Sequence, residues 1–191
     1  MKKIAIFASG NGSNAENIIH YFKENYKVSI ELVLTNNSQA KVIERSKNLG
    51  VPSFIFNREE FYSSDKVLQE LKRKSIDFIV LAGFMWLVPT SLIKQFPNNI
   101  INIHPALLPK YGGKGMYGDF VHQAVSKAGE KETGITIHYV NDEYDEGAVI
   151  FQKVVEIEAR EDYHLIAEKI HALEYEYFPQ VIEDVIMQLS K

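Results

Sequence analysis

The spacing of hydrophobic and polar positions changes along the chain and predicts a regular alternation of strands and helices. Residues 4–8 form a short continuous apolar run that ends in a glycine-rich turn. Such a run is typical of a strand buried on both faces of a parallel sheet. In the segment 15–24, the apolar residues Ile18, Ile19 and Phe22 follow a helical spacing, which predicts a first helix.

The alternation continues to about residue 104. We predict further strands at 28–35, 51–56, 77–81 and 100–103, and helices at 39–49 and 59–74. The turn 36–38 supplies a cap for the helix 39–49, which Gly50 ends at its C′ position. Alternating strands and helices of this length are typical of an α/β protein with a doubly wound, mostly parallel sheet and right-handed crossovers.

The pattern is different after residue 130. Two strand-like runs at 133–140 and 148–157 are separated by an acidic turn, so we expect an antiparallel pair that continues the sheet. The remaining residues to Leu189 have helical spacing with Pro179 inside, which predicts a kink or two helices. Because no repeat or linker interrupts the chain, residues 1–191 are expected to form a single domain.

Composition excludes several classes of protein. None of the 191 residues is cysteine, which excludes a disulfide scaffold, a thiolate zinc site and a cysteine nucleophile. The net charge is −4, and Lys and Arg are scattered, so we predict no nucleic-acid partner. The first apolar run is too short for a secretory core or membrane span. We therefore predict a cytoplasmic protein without a membrane partner or a metal, and a monomer or weak homodimer.

The turn 9–14, Ser-Gly-Asn-Gly-Ser-Asn, joins the first strand to the first helix. Its backbone N–H groups, together with the partial positive charge of the helix N-terminus, suit an anion. We predict a phosphate site at Gly12, Ser13 and Asn14. The turn lacks the Lys-Ser/Thr ending of a P-loop and the third glycine of the dinucleotide fingerprint. The alternative is a tight turn in which Ser13 or Asn14 only caps the helix.

Asn102 and His104 lie two residues apart on the strand predicted at 100–103. Side chains alternate along a strand, so both point to one side. An amide and an imidazole at the carboxyl end of a strand can act as an oxyanion donor and a proton-handling group. From the residues alone, a structural histidine remains the alternative.

The segment 102–109, Asn-Ile-His-Pro-Ala-Leu-Leu-Pro, and the acidic segment 142–147, Asp-Glu-Tyr-Asp-Glu-Gly, resemble the signatures of the folate-dependent formyltransferase family. The resemblance covers essentially the whole chain. It implies 10-formyltetrahydrofolate as formyl donor, acting as a cosubstrate, and the catalytic set Asn102, His104 and Asp145. The N-terminal turn and the chain length favour the member of this family whose acceptor is glycinamide ribonucleotide.

The resemblance also implies the residues that bind the two substrates. Glu174, in a Glu-x-x-x-Phe-Pro stretch, would join the phosphate turn in binding the ribotide; without the resemblance it passes as a solvated helix residue. The residues that the resemblance assigns to folate binding are Met85, Trp86, Leu87, Val88, Asn102, Asn141, Asp142, Glu143, Tyr144 and Asp145. Without it, an apolar loop packed as core is the favoured interpretation of the segment 82–88.

The implied chemistry passes through a tetrahedral intermediate. Asn102 would donate a hydrogen bond to the oxyanion, and His104, kept charged by Asp145, would stabilise it. Asp145 would also orient the imidazole. Two departures from some relatives concern substrate contacts: Trp86 stands in place of an arginine, and the glycine-rich segment 112–118 is longer. We expect that segment to form a loop over the substrate, with Lys114 as a candidate anion ligand.

The sequence alone assigns no definite role to the other histidines. His138 lies on the strand before the acidic turn, where it either supports the site or is structural. His20, His164 and His171 fall in helical segments without partners nearby in sequence and are expected at the surface. The role of His122 stays open.

Three other functions remain as alternatives. A formyltetrahydrofolate hydrolase would share the two signatures but is expected to carry a regulatory domain. A methionyl-tRNA formyltransferase is expected to carry a basic extension. A non-catalytic nucleotide-phosphate sensor would use the glycine turn alone and leaves Asn102, His104 and Asp145 unexplained. Formyl transfer to the ribotide, to water or to neither separates these functions.

Overall fold

The computed structural model describes residues 1–189, which form strands and helices in the predicted alternation. The strands are β1 (Lys2–Phe7), β2 (Val28–Thr35), β3 (Ser53–Ile55), β4 (Phe78–Leu81), β5 (Ile100–His104), β6 (Glu132–Tyr139) and β7 (Val149–Glu156). The helices are α1 (Ser13–Phe22), α2 (Val42–Asn48), α3 (Arg58–Tyr62), α4 (Lys66–Arg73), α5 (Thr90–Gln95), α6 (Asp119–Ala128) and α7 (Tyr163–Gln188).

All seven strands belong to one sheet with the order β3-β2-β1-β4-β5-β6-β7. The pairs from β3 to β5 are parallel, and β6 and β7 add to the sheet as antiparallel strands. The predicted fold class and the antiparallel pair near the C-terminal end are therefore confirmed.

The centre of the sheet is buried on both faces, as its continuous apolar runs predict. On β1, Ile4 and Ile6 pack into a cluster with α1 and α7, whereas Ala5 and Phe7 pack into a second cluster with α3, α4 and α5. All four side chains have no exposed area. Alternate residues of one strand thus contribute to two cores, which holds the strand ends at fixed positions.

The strand order places an open crevice beside β1. The chain leaves β1 toward β2 and β3, then returns to β4 on the opposite side of β1. The connections after β1 and β4 therefore diverge at the carboxyl edge of the sheet, where ligands bind in such folds. The turn 9–14 and the segment 82–89 lie at this edge.

Several predicted boundaries are wrong, each for a local reason. The single helix predicted at 59–74 is two helices, because Asn57 and Glu60 form a capping box for a short α3 and the chain turns at residues 63–65 before α4 begins. Serine and aspartate in that turn favour hydrogen bonds to the backbone over helix continuation. Helix α2 starts at Val42, later than predicted, since Asn37 accepts from the Gln39 N–H and closes a turn instead of capping the helix. Helix α5 was not predicted.

Pro179 lies inside a single continuous α7, so the expectation of two helices is wrong. A proline has no N–H and leaves the carbonyl four residues earlier, that of Tyr175, without its helical partner. The Asn17 side-chain amide donates to this Tyr175 oxygen at 2.9 Å. Helix α1 therefore supplies the missing donor, and the helix continues past the proline.

Candidate active site

The turn after β1 presents the start of α1 without a side-chain cap. Gly12 is the N-cap residue in a left-handed conformation (φ 74°), and within residues 1–189 the helix start has no side-chain cap hydrogen bond. The first helical hydrogen bond runs from the Glu16 N–H to the Gly12 carbonyl. The alternative in which Ser13 or Asn14 merely caps the helix is therefore not what the structure has. The leading N–H groups are free to bind an anion.

Arg45 of α2 fixes this turn from outside. Its Nε donates to the Asn11 carbonyl at 2.9 Å and its Nη2 to the Asn11 side chain at 3.2 Å, while the guanidinium also pairs with Glu16. The Val42 N–H donates to the Gly10 carbonyl at 3.2 Å. The turn is thus organised by protein contacts before any ligand binds.

Asn14 and Glu174 join α1 to α7 beside the turn. The Asn14 amide donates to Glu174 Oε2 at 2.8 Å, and His171 Nδ1 lies 3.0 Å from the same oxygen. Glu174 is only 5% exposed. Both contacts use Oε2, which leaves Oε1 for a ligand. Asn14 Oδ1 is buried and has no hydrogen-bond partner within residues 1–189, so this wall has unused capacity for a polar ligand.

The register of β5 and β6 brings the predicted polar pair together with His138, which lies opposite Asn102. His138 Nδ1 is 2.8 Å from the Tyr139 carbonyl, and its Nε2 is 3.1 Å from Asn102 Nδ2. A carbonyl only accepts, so His138 Nδ1 carries a proton, while its Nε2 lies beside both Asn102 Nδ2 and Asp145 Oδ1, the latter 3.6 Å away. His138 therefore orients the amide of Asn102.

Asp145 reaches the same group of residues from the acidic turn. Its backbone is left-handed (φ 58°). Its Oδ2 lies 3.5 Å from His104 Nδ1 and accepts from the Gly113 N–H at 2.9 Å, while Oδ1 lies 3.4 Å from Asn102 Nδ2. The three residues predicted as the catalytic set are therefore in contact, although only the fold brings Asp145 to the other two.

Burial and charge act in opposite directions on these groups. For Asp145, burial favours the neutral acid, but contacts with His138, His104 and the Gly113 N–H outweigh it and lower its pKa. For His104, burial outweighs the nearby Asp145 and lowers the pKa below the ordinary value of 6.5. The charged form of His104, which Asp145 favours, is thus opposed by burial in the free chain. Near pH 7, a neutral imidazole faces an ionised carboxylate.

Two cavities meet the His104–Asp145 contact from different sides. The first, of about 250 Å³, is lined by the glycine turn with Asn14, Met85, His104 and Glu174. The second, of about 430 Å³, is lined by Gly113, Tyr144 and Asp145. A group bound in one cavity can therefore approach a group bound in the other at this contact.

The segments expected to bind folate contact each other at two points. The Tyr144 hydroxyl accepts from the Leu87 N–H at 3.0 Å, and Thr90 donates to Asp142 at 2.5 Å. Val88 is buried in the core, as the alternative interpretation held for this segment, and Trp86 packs among aromatic rings with Arg58 over its face. Met85 is exposed at the first cavity.

Comparison with known proteins places the chain in a family. Residues 2–182 match the profile of the family described as formyl transferase. The chain belongs to that family. A curated relative named phosphoribosylglycinamide formyltransferase, from Bacillus subtilis, is 40% identical over 97% of this chain and 95% of its own length. A chloroplastic relative of the same name from Arabidopsis thaliana is 35% identical over 95% of this chain and 64% of its own.

Solved structures agree with this placement. A phosphoribosylglycinamide formyltransferase from Bacillus halodurans has a TM-score of 0.86 and 38% identity, covering 100% of this chain and 96% of that one. Glycinamide ribonucleotide transformylase 1 from Geobacillus kaustophilus has a TM-score of 0.88 and 38% identity, covering 97% and 99%. Both solved structures therefore match the elements of this chain that line its two cavities.

The structure also contains polar residues at the site that were not predicted. Arg45 and His122 were missed, and His171, although exposed, has Glu174 as a partner three residues along the helix. His122 is 2% exposed and lines the first cavity, and its Nδ1 has no hydrogen-bond partner in the described part of the chain. The i,i+3 spacing of His171 and Glu174 was a usable signal. Arg45 and His122 had none, because their contacts depend on packing between helices.

Among the described residues, no three His, Asp or Glu side chains are arranged to hold a metal ion. No helix within residues 1–189 is long and apolar enough to cross a membrane.

Proposed function

We propose that this chain transfers the formyl group of 10-formyltetrahydrofolate to the amine of glycinamide ribonucleotide, a step of de novo purine (IMP) synthesis. The names and full-length similarity of its relatives support this activity. The observation that carries the proposal is the His104–Asp145 contact of 3.5 Å between two cavities. A reaction between two bound substrates needs a proton-handling group at such a junction.

We assign the ribotide to the first cavity. Its phosphate would accept from the free N–H groups at Gly12, Ser13 and Asn14, supported by the uncapped start of α1. Glu174 Oε1 would accept from a ribose hydroxyl, since its other oxygen is already used by Asn14 and His171. The sugar would then extend from the turn toward His104.

We assign the folate to the segments around the second cavity and to the exposed Met85, which lines the first cavity and would therefore lie where the two substrates meet. The proposed contacts are with Met85, Trp86, Leu87, Val88, Asn102, Asn141, Asp142, Glu143, Tyr144 and Asp145. The buried Val88 would contribute through its backbone. The Tyr144–Leu87 and Thr90–Asp142 hydrogen bonds hold the two segments together and support one binding surface made from both.

In the proposed reaction, the neutral amine attacks the formyl carbon and the carbonyl oxygen becomes an oxyanion. Asn102 would donate to that oxygen. Of its two contacts, the one to His138 at 3.1 Å is the stronger, and the one to Asp145 at 3.4 Å is long enough to be exchanged for a substrate oxygen. A preoriented donor stabilises charge that develops only in the transition state.

The attacking nitrogen must lose a proton as the intermediate forms. His104 is neutral in the free chain and its Nδ1 faces Asp145, so we propose that this nitrogen takes the proton, directly or through water. The imidazolium, stabilised by Asp145, then lies beside the oxyanion and returns the proton to N10 of the folate as the carbon–nitrogen bond breaks. Atoms and charge balance without an added reagent.

We further propose that no metal ion takes part, because Asn102 and the His104–Asp145 pair supply both the oxyanion donor and the proton acceptor. The single sheet that includes strands from both halves of the chain supports one domain. A cytoplasmic monomer or weak homodimer, without nucleic-acid or membrane partners, completes the proposal.

One assay tests this function directly. The purified chain is incubated with 10-formyltetrahydrofolate alone, with glycinamide ribonucleotide, and with formyl-accepting initiator tRNA, and the deformylated folate is measured. We expect turnover that depends on the ribotide and is strongly reduced in His104→Ala. Turnover with water alone would indicate a hydrolase instead, and ribotide binding without turnover would indicate a sensor.

A further inference from the structure

The backbone of residues 111–113 contacts both proposed catalytic side chains: His104 through the Tyr111 carbonyl, and Asp145 through the Gly113 N–H, which donates to the oxygen that faces His104. His104 Nε2 lies 2.7 Å from the Tyr111 carbonyl. Because a carbonyl oxygen only accepts, the Nε2 atom must carry a proton. In the neutral ring, Nδ1 is then unprotonated, and this is the nitrogen 3.5 Å from Asp145 Oδ2. The Tyr111 carbonyl therefore selects which nitrogen of His104 is basic.

The Tyr111 carbonyl depends on an anchor outside both cavities of the proposed site. Tyr111 has a left-handed backbone (φ 57°), which is unfavourable for a residue other than glycine. Its hydroxyl donates to Glu130 Oε1 at 2.9 Å, and Lys110 Nζ donates to the same oxygen at 3.0 Å. Burial and the nearby carboxylate raise the pKa of the Tyr111 phenol, so it remains a donor. Glu130 thus holds Tyr111 in place.

Close packing transmits this placement to Asp145. A Cβ added to Gly112 would lie 2.5 Å from Leu108 Cδ2 and 3.3 Å from Asp145 Cβ. The Gly113 N–H donates to Asp145 Oδ2 at 2.9 Å. The segment therefore has little freedom between its anchor at Glu130 and its contacts with the two proposed catalytic side chains.

We propose that Tyr111 and Glu130 are a positioning pair for formyl transfer, which holds the Tyr111 carbonyl on His104 Nε2 and so keeps the basic Nδ1 directed at Asp145. The catalytic consequence rests on the proposed function, whereas the effect on the His104 ring does not. Tyr111 and Glu130 themselves line a separate surface cavity with Leu107 and Thr133, so they act through His104.

Weakening the hydrogen bond between Tyr111 and Glu130 changes the pKa and the tautomer of His104 in a defined direction. The other charged or titratable groups that face His104 are Asp145, His138, Glu174 and His122, and Tyr111→Phe replaces none of these side chains. The Tyr111 carbonyl raises the pKa of His104. When that contact weakens, the pKa of His104 falls, and the neutral ring can carry its proton on Nδ1 and donate it to Asp145. In that tautomer, the His104 nitrogen that faces Asp145 carries a proton and cannot act as a base.

The first test follows the ring itself by ¹⁵N NMR titration of His104 in the wild-type chain and in Tyr111→Phe. We expect the Nε2–H tautomer in the wild type. The variant should show a fraction of the Nδ1–H tautomer and a lower His104 pKa. Identical tautomers and titration curves in the two proteins would overturn the inference, whether or not the chain transfers formyl groups.

The second test is kinetic. In Tyr111→Phe, kcat near pH 7.5 should fall by roughly threefold to tenfold, the effect of one weakened hydrogen bond, while KM for the ribotide is unchanged. The difference in kcat between wild type and variant should become smaller as the pH is lowered. His104 of the variant has the lower pKa, so it stays unprotonated to a lower pH than His104 of the wild type. A deficit that is constant with pH, or no deficit in an enzyme that loses turnover in His104→Ala, would overturn the positioning role and leave the proposed function standing.

Matched variants separate positioning from general loss of stability. Tyr21→Phe removes an equivalent bond, from the Tyr21 hydroxyl to Glu183 at 2.8 Å between α1 and α7, and should leave kcat and its pH profile unchanged. Glu130→Ala should reproduce the Tyr111→Phe defect, and the double variant should be no worse than either. Glu130→Gln keeps an acceptor and should restore most of kcat. An additive double variant, or no rescue by glutamine, would count against the pair.

Discussion

At the scale of single residues, the contact between His104 Nδ1 and Asp145 Oδ2 allows a direct test of coupling. Asp145→Asn removes the charge that stabilises the imidazolium, and we expect kcat to fall by roughly 10² to 10⁴, as for other oriented imidazoles. His104→Ala should cost a similar factor. Because the two groups handle one proton, the double variant should be little worse than either single change.

The measurement is single-turnover formyl transfer with both substrates saturating, together with far-ultraviolet circular dichroism to check that each variant is folded. If the two losses multiply in the double variant, His104 and Asp145 contribute independently, and the assigned proton acceptor is wrong.

The turn 9–14 allows a second test at the scale of single residues, but a substitution at Gly12 would not test phosphate binding alone. A Cβ there would lie 2.3 Å from Val42 Cγ2 and 2.8 Å from the Val42 backbone, in a left-handed conformation. Gly12→Val would therefore move α2 relative to α1 as well as crowd the anion. The glycine is required by the packing of these helices in addition to any ligand.

Ser13→Ala keeps the backbone N–H groups and removes only the Ser13 hydroxyl, which we expect to donate to the phosphate beside them, so this variant avoids the conflict. A hydrogen bond to a charged group contributes about 1.5–3 kcal/mol, so KM for the ribotide should rise by tenfold or more while affinity for a folate analogue is unchanged. The exposed Ser53→Ala is the control and should alter neither. Equal weakening of ribotide and folate binding by Ser13→Ala would contradict the division of the site into two cavities.

At the scale of elements, the continuity of α7 past Pro179 depends on α1. Asn17→Ala leaves the Tyr175 carbonyl without its donor and should lower the free energy of unfolding by about 0.5–1.5 kcal/mol. In a Pro179→Ala background the helix supplies its own N–H, and the same Asn17→Ala change should cost clearly less. Urea denaturation of the four proteins measures the difference, and equal costs in both backgrounds would exclude this explanation.

The elements that the sequence predicts well are those whose pattern is set by burial. The runs at 4–8, 28–35 and 100–103 identify strands because their side chains are enclosed by the two cores. The prediction of one helix at 59–74 was wrong because α3, the Ser-Ser-Asp turn and α4 together keep a helical spacing of apolar residues. Hydrogen bonds between Asn57 and Glu60 cap α3 as a separate helix. The spacing of apolar residues contains no information about these bonds.

The site was predictable where residues are close in sequence or carry a family signature. Asn102 and His104 follow from strand alternation, and the resemblance supplied Asp145 and Glu174. The contacts of Arg45 with the glycine turn and of the Tyr111 carbonyl with His104 were not predicted. The first depends on how α2 packs and the second uses a backbone atom, and neither property is encoded in residue type or spacing.

At the scale of the whole molecule, three buried groups make folding depend on pH in the same direction. The pKa values of His104, His122 and Asp145 are lowered in the folded chain, whereas that of His171 is raised. A group with a lowered folded pKa stabilises the protein above its unfolded value, which is 6.5 for histidine, and that contribution is lost as pH falls. His171 acts in the opposite sense, since its contribution is present below 6.5 and is lost at higher pH.

His104 and His122 should therefore lower the free energy of unfolding when the pH falls from about 7.5 to about 5.5, against the opposite contribution of His171. Asp145 adds a loss only at more acidic pH. In His122→Phe, which buries a ring without a titrating nitrogen, the decrease over this interval should be smaller. Urea unfolding at a series of pH values provides the comparison, and an unchanged slope in His122→Phe would show that His122 is not part of this dependence.

The strand pairing that sets Asn102 opposite His138 is separate from the segment that a redesign of substrate specificity would alter. The chemistry is held by neighbouring strands β5 and β6, while the chain between them makes an excursion over the mouth of the first cavity. Beyond Gly113, Gly115 and Gly118 have open space where a side chain would stand, but their positive φ angles (91° and 52°) favour glycine, so new sequences there need their own backbone geometry. We expect insertions, deletions and grafted recognition segments at 114–118 to leave the β5–β6 pairing intact. A designer seeking a new formyl acceptor should begin with that stretch and keep the strands as they are.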